Sequence, residues 1–234
     1  MLLDFDGPVC NLFARRPAPG VARVLLDELR GQGVAWLQET DDPHGLLARL
    51  PALLDAARTP SAEAARLIAL TDRALAREEL LAAVSADPTP GAREGVLALA
   101  KAGVPLAVVS NNARPAIEEY LLGAGLVEAL AKHVVGRPAD LARMKPDPSG
   151  IQEALHALGV AGEAVSRCVY VGDAVGDASA ARAAGVRFLG WAGGLSRRSE
   201  RLLGVGVPQA SLFDEWSHLT HRLLVSRQGN GAHI

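Results

Sequence analysis

The sequence predicts an α/β protein, a doubly wound parallel sheet with an all-helical domain inserted just after its first strand. Three observations lead there. Short apolar runs at residues 1–3, 104–109, 168–171 and 187–190 alternate with helical stretches, the pattern of buried parallel strands joined by right-handed crossovers. From Ala18 to Ala86, by contrast, apolar residues recur only at helical spacing. Finally, the first three of these runs stop at chemically useful groups, and open α/β sheets place their sites at the carboxyl ends of strands.

The elements follow in order. Residues 1–3 form the first strand, which stops at Asp4-Phe5-Asp6-Gly7-Pro8. Strands usually run about five or six residues, so a start only three residues before Asp4 leads us to expect that Met1 is internal and that further residues precede it. The segment from Cys10 to Pro17 reads as a hinge. Helical spacing then runs through Val21, Leu25 and Leu29, through Leu46, Leu50 and Leu54, and through Leu67 and Leu75. Thr40-Asp41-Asp42-Pro43 and Thr59-Pro60-Ser61 divide it into separate helices with capping side chains. Asp87-Pro88-Thr89-Pro90-Gly91 is a second stiff linker that returns the chain to the sheet.

A helix over 92–102 ends at Gly103, and the strand 104–109 stops at Ser110-Asn111-Asn112. A helix over 113–122, a short strand over 133–136, a loop with Met144-Lys145-Pro146 and a helix over 149–158 follow. The strand 168–171 stops at Gly172-Asp173, a helix over 177–184 is ended by Gly185, and 187–190 is the last clear strand. Past Trp191 we expect a helix over 212–224 and a disordered tail over 226–234. The implied domains are a discontinuous core, 1–14 with 88–225, and a helical insertion, 15–87.

Composition narrows the function. With 49% hydrophobic and 21% charged residues the chain is a globular protein, and a net charge of −2 with a pI near 6.3 offers no electrostatic case for nucleic acid or an anionic membrane. Two cysteines are too few for a disulfide framework, and no apolar run is long enough to span a bilayer, so a cytoplasmic enzyme of small molecules is expected, monomeric or homodimeric. Cys10 has no partner in the sequence that suggests redox or nucleophilic chemistry, and reads as a packing residue.

Asp4 and Asp6 lie one residue apart and point the same way from a strand. Like charges so close need a cation or a shared proton, so the pair reads as a metal site or as a nucleophile beside a proton carrier. Asp173 closes a strand and Asp177 opens the next helix, so both can face Asp4. An all-oxygen cluster of this kind suits Mg2+. Ser110, Asn111, Lys145 and the amides beside Asp4 could then hold a phosphoryl group, whose transfer depends on positioning and charge neutralisation. Individually these residues are also ordinary helix caps, turn residues or solvated charges; the argument rests on their joint placement.

The segments Asp4-Phe5-Asp6-Gly7, Val109-Ser110-Asn111, Lys145-Pro146 and Gly172-Asp173-Ala174-Val175-Gly176-Asp177 resemble the four ordered motifs of the haloacid dehalogenase (HAD) superfamily. The helical insertion is similar to the cap of its phosphoglycolate phosphatase and β-phosphoglucomutase branches. The resemblance implies a Rossmann-like core and a Mg2+-dependent phosphatase of a small phosphorylated metabolite. It makes Asp4 the nucleophile, Asp6 the general acid and base, Ser110 and Asn111 the phosphate ligands, and Lys145 the stabilising cation. Mg2+ would be held by Asp4, Asp173 and the Asp6 carbonyl, with Asp177 acting directly or through water. Pro8-Val9-Cys10-Asn11 departs from the family's usual sequence and alters the hinge and pocket floor. A sugar phosphomutase uses the same motifs and is the alternative; a non-catalytic regulator would be expected to have lost one of the acids. Substrate contacts in the cap are sought among Arg15, Arg16, Asp41, Asp42, His44 and Arg49.

Overall fold

The computed structural model describes residues 1–229. Along the chain run β1 (Leu2–Leu3), β2 (Cys10–Asn11), α1 (Ala18–Gly31), α2 (Pro43–Ala56), α3 (Ser61–Ala83), β3 (Asp87–Pro88) and α4 (Ala92–Lys101). Then come β4 (Ala107–Val109), α5 (Arg114–Gly123), α6 (Val127–Leu130), β5 (Val134–Val135), α7 (Ser149–Ala157), β6 (Val169–Gly172) and α8 (Val175–Ala183). The chain continues through β7 (Arg187–Trp191), α9 (Ser196–Gly204), β8 (Leu212–Phe213) and α10 (Trp216–Gly229).

Six strands form one parallel sheet in the order β5-β4-β1-β6-β7-β8. Alternation divides its side chains between two layers. Leu3, Val108 and Val171 pack with Val96 and Leu99 of α4, Ile117 and Leu121 of α5, and Trp216 and Leu219 of α10. Leu2, Ala107, Val109 and Tyr170 pack with Ile151 and Leu155 of α7 and with Ala180 and Ala181 of α8. The sheet is therefore covered on both faces, as its continuous apolar strands demand.

Helices α1, α2 and α3 bury a separate cluster built from Val21, Leu25 and Leu29, from Leu46, Leu47, Leu50 and Leu54, and from Leu67 and Leu75. These are the stripes that the helical spacing marks out. The two segments expected as hinge and linker pair with each other: β2 and β3 form an antiparallel ribbon in which Cys10 faces Pro88 and Asn11 faces Asp87. Thr89 adds a 2.6 Å hydrogen bond from its hydroxyl to the Gly7 carbonyl.

After Trp191 the structure corrects the sequence reading. The helix expected from residue 212 begins at Trp216, because Leu212 and Phe213 instead pair with Gly190 and Trp191 as a sixth strand, and Phe213 packs its ring on Trp191 at 5.3 Å. Helix α9 is an element the reading lacked; it buries Leu202 against Ala178 and Val207. Helix α10 continues to Gly229, and the remainder of the tail expected over 226–234 lies outside the described residues. Among the described residues no helix is long and apolar enough to cross a membrane.

Trp216 fixes α10 to the start of the chain. Its indole N–H donates to the Pro8 carbonyl at 2.7 Å, and its ring lies so close to α4 that a Cβ on Gly95 would stand 2.4 Å from it. Gly95→Ala gains about 1 kcal/mol of helix propensity but overpacks this contact at a cost of about 1–3 kcal/mol. We expect net destabilisation, read as a lower urea midpoint at unchanged m-value.

Candidate active site

The sheet order places β4, β1 and β6 side by side and parallel, so the residues just past their ends share one edge. Asp4 follows β1 and its N–H donates to the Val171 carbonyl at 2.8 Å, which fixes it against β6. Asp173 follows β6, and Asp177 lies in the first turn of α8, where its carboxylate accepts from the Asp173 and Ala174 amides at 3.1 and 3.0 Å. Gly7 has φ of +116°, and a Cβ there would stand 2.6 Å from the Asp173 carboxyl carbon, so only glycine lets the first loop pass this acid.

Lys145, from the loop before α7, reaches the same acids. Its ammonium lies 2.8 Å from Asp4, 2.6 Å from Asp177 and 2.7 Å from the Tyr170 hydroxyl, which in turn donates to the Val109 carbonyl at 2.9 Å. The three protons are shared among these acceptors and the Val109 carbonyl, 3.2 Å away. Burial opposes the Lys145 charge, but Asp177 and Asp4 outweigh it and hold the ammonium above its ordinary range. The loop carrying Lys145 is held by Asn111, whose side chain donates to the Lys145 carbonyl at 3.1 Å and accepts from its amide at 2.9 Å.

Asp4, Asp173 and Asp177 each present an oxygen within 4.8 Å of the others. Burial, then the charge of Asp177, raises the Asp4 carboxyl to about 6 against the pull of Lys145. Burial also raises Asp173 to about 8, opposed by the guanidinium of Arg198 at 2.8 Å and reinforced by Asp4. Acids pushed up in this way lack positive charge, and three clustered carboxylates could hold a hard divalent cation. The Asp6 carboxylate stands outside that trio and accepts from the Leu12 amide at 2.8 Å. Burial raises the Asp6 carboxyl above its ordinary value, more than the Leu12 hydrogen bond lowers it.

Ser110 is buried and its hydroxyl donates to Asn112 at 2.9 Å. Asn112 in turn reaches Glu79 of α3 at 3.1 Å. Glu79, wholly buried, also accepts from the Ala113 amide at 2.9 Å, contacts His44 at 2.7 Å and binds Arg137 at 2.8 and 2.9 Å. Burial raises its carboxyl, but His44 and Arg137 prevail and hold it below the usual range. Arg137 also donates to the Asn111 carbonyl at 3.0 Å and to Asp72 at 2.6 Å.

Of the cap residues singled out in the sequence, His44 alone has contacts with the loop after β4. Arg15 and Arg16 pair with Asp87 and Glu78, Asp42 caps α2 through the Gly45 amide, and Asp41 and Arg49 are exposed. Sequence reasoning did not find Tyr170, Asn112, Glu79, Arg137 or Arg198. Glu79 left a signal: it lies on the buried face of α3 with Leu75 and Ala82, where an unpaired acid would not survive. Cys10 is buried, and burial followed by Asp6 and Asp4 keeps its thiol protonated.

Glu79→Gln leaves Arg137 buried without its main counter-ion and should cost about 3–5 kcal/mol. Part of that loss should return in the double variant with Arg137→Met, both measured by urea denaturation. A second expectation concerns the acids in chelator. Because the folded value of Asp173 is raised, its contribution to stability is fully present below about 3.8 and is lost as pH rises through about 8. Asp173→Asn cannot ionise, so its stability relative to the wild type should improve between about pH 4 and about pH 9. Saturating divalent cation should stabilise the wild type most at the high end.

Comparison with known proteins bears on this arrangement. The chain is 29% identical over 226 residues to the phosphoglycolate phosphatase of Rhodospirillum rubrum, covering 94% of this chain and 88% of that protein. The plasmid phosphoglycolate phosphatase of Cupriavidus necator is 38% identical over 97 residues, 42% of this chain and 40% of that one. In fold, the chain resembles CbbY from Rhodobacter sphaeroides, solved in complex with phosphate, with a TM-score of 0.63 at 22% identity over 93% and 94% of the two chains. A family model for haloacid dehalogenase-like hydrolases matches residues 1–185, and with the parallel sheet and its helical insertion this shows that the chain belongs to that family of hydrolases.

Proposed function

We propose that this hydrolase is a Mg2+-dependent phosphatase of a small phosphorylated metabolite, working through an aspartyl-phosphate on Asp4. The observation that carries the reading is the Lys145 ammonium held between Asp4 and Asp177, with Asp173 alongside: a buried carboxylate kept in place by a cation, in a cluster still short of positive charge. The similarity to a phosphoglycolate phosphatase over nearly the whole chain supports a small, anionic phosphomonoester as substrate. We assign the cap to residues 15–87 and the core to 1–14 and 88–225, and the cytoplasm as the location.

Asp4, Asp173 and Asp177 are the side chains that would hold Mg2+, which supplies charge neutralisation to the phosphoryl oxygens. Lys145 faces the same oxygens and keeps its charge through the reaction. Because the Asn111 side chain is committed to the Lys145 backbone, its contribution to phosphate binding falls to its own backbone N–H, and the Ser110 hydroxyl must turn from Asn112 to join it. Asp4 attacks phosphorus; as the ester P–O bond breaks, Asp6 gives its proton to the leaving oxygen. Water then attacks the phosphorus of the acyl phosphate, its proton passes to Asp6, and the bond between phosphorus and Asp4 breaks to release inorganic phosphate. The raised Asp6 carboxyl, tethered by Leu12, suits the first of these proton transfers.

Asp4→Asn should bring turnover to the assay floor, because uncatalysed monoester hydrolysis is among the slowest known reactions. Asp6→Asn should lose about 100- to 10,000-fold. With an aryl phosphate, whose leaving group needs little protonation, it should show a burst of phenolate and accumulate phosphate on the peptide containing Asp4. Persistent activity of Asp4→Asn, or full turnover in chelator, would refute the mechanism.

A further inference from the structure

We infer that Arg198 is a specificity-determining residue, stored on Asp173 in the free enzyme and presented to an anionic group on the leaving side of the substrate once a cation occupies the acids. The inference rests on the phosphatase reading above and adds what the substrate must carry: a carboxylate or second phosphate beside the scissile ester.

The ion pair itself is the first ground. Arg198 and Asp173 meet at 2.8 Å with side chains only 22% and 15% exposed, so this is not an idle surface contact. The mounting is the second. Arg198 lies in the first turn of α9, whose Leu202 is fully buried, so the backbone is anchored and the long side chain is the movable part. Direction is the third. The Asp173 carboxylate that holds the guanidinium lies against Gly7, where an added Cβ would stand 2.6 Å from its carboxyl carbon, so Arg198 is held beside the first loop, next to the residue that serves the leaving oxygen, Asp6.

A guanidinium and a divalent cation compete for one carboxylate, and when the cation takes it the guanidinium is left beside a like charge. Its fixed fork of donors then suits a carboxylate or phosphate. Arg198 must therefore oppose cation binding and favour substrate binding, two effects of opposite sign that a packing role cannot produce together.

The test uses the full chain with Arg198→Gln and Arg198→Lys. In a MgCl2 titration followed by calorimetry without substrate, run above about pH 8 so that Asp173 is ionised, Arg198→Gln should bind the ion roughly tenfold more tightly, and Arg198→Lys less so. At saturating Mg2+, kcat/KM for 2-phosphoglycolate relative to ethyl phosphate, which lacks the carboxylate, should fall roughly 10- to 100-fold in Arg198→Gln and partly recover in Arg198→Lys. Weaker Mg2+ binding in Arg198→Gln would make Arg198 a support for a metal ligand and overturn the inference. So would an unchanged ratio of the two esters. If the wild type hydrolyses neither ester in Mg2+, it is the phosphatase reading that fails, and the calorimetric sign still decides whether Arg198 competes with the cation.

Discussion

The structure is organised around an electrostatic problem, the burial of three carboxylates at the adjoining ends of β1 and β6. Taking one ion out of water costs several kcal/mol even after relaxation, and Asp4, Asp173 and Asp177 crowd their oxygens within 4.8 Å. Lys145 is the main internal answer. It can serve only because its loop is clamped by the paired hydrogen bonds of Asn111 and because Tyr170, planted in the strand beneath, and the Val109 carbonyl accept from the ammonium besides the acids. The two neighbouring strands β4 and β6 thus contribute structural groups to a site centred on β1. A site supplied by three adjacent parallel strands needs no long-range coincidence beyond the sheet order itself.

A second buried charge system joins the inserted helices to that site. Arg137 binds Glu79 and Asp72 of α3 while donating to the carbonyl of Asn111 and, through its backbone N–H, receiving a partner in the carbonyl of Asn112. The Ala113 amide closes the circuit on Glu79. The insertion is consequently bonded to the loop that carries Ser110 and Asn111, and movement of α3 cannot leave that loop unaffected. Buried ion pairs of this sort are weak contributors to net stability, whereas removal of one partner leaves an uncompensated buried charge.

How much of this was legible in the sequence depended on distance along the chain. Asp4, Asp173 and Asp177 could be placed because each sits at a strand end or helix start, a position that local pattern reveals. Lys145 could be placed only as a loop residue near such an end. The partnership of Glu79 with Arg137 was invisible: helical periodicity shows that position 79 lies on the buried face of α3, but not that a residue 58 positions later will neutralise it. Tyr170 was read as one more apolar residue of its strand, since nothing local distinguishes a hydroxyl with a task from one without. Strand β8 was missed because two residues, Leu212 and Phe213, carry no period of their own and are defined by the neighbour they pair with. Arg198 fell in a helix that the reading did not contain.

The bond from the Trp216 indole to the Pro8 carbonyl spans 208 residues. Pro8 belongs to the loop that also holds Asp6 and Gly7, and β1 lies in the middle of the sheet with partners at Ala107 and Tyr170. Strand β1, which precedes every other strand of the sheet along the chain, is therefore among the last to find its neighbours. Until β6 and then α10 have been made, the apolar strand β1 has no complete place to go, and loop closure of this length is slow. The nascent protein must carry β1 without its full set of partners until those elements emerge, a period in which the separately packed helices α1 to α3 have what they need to form.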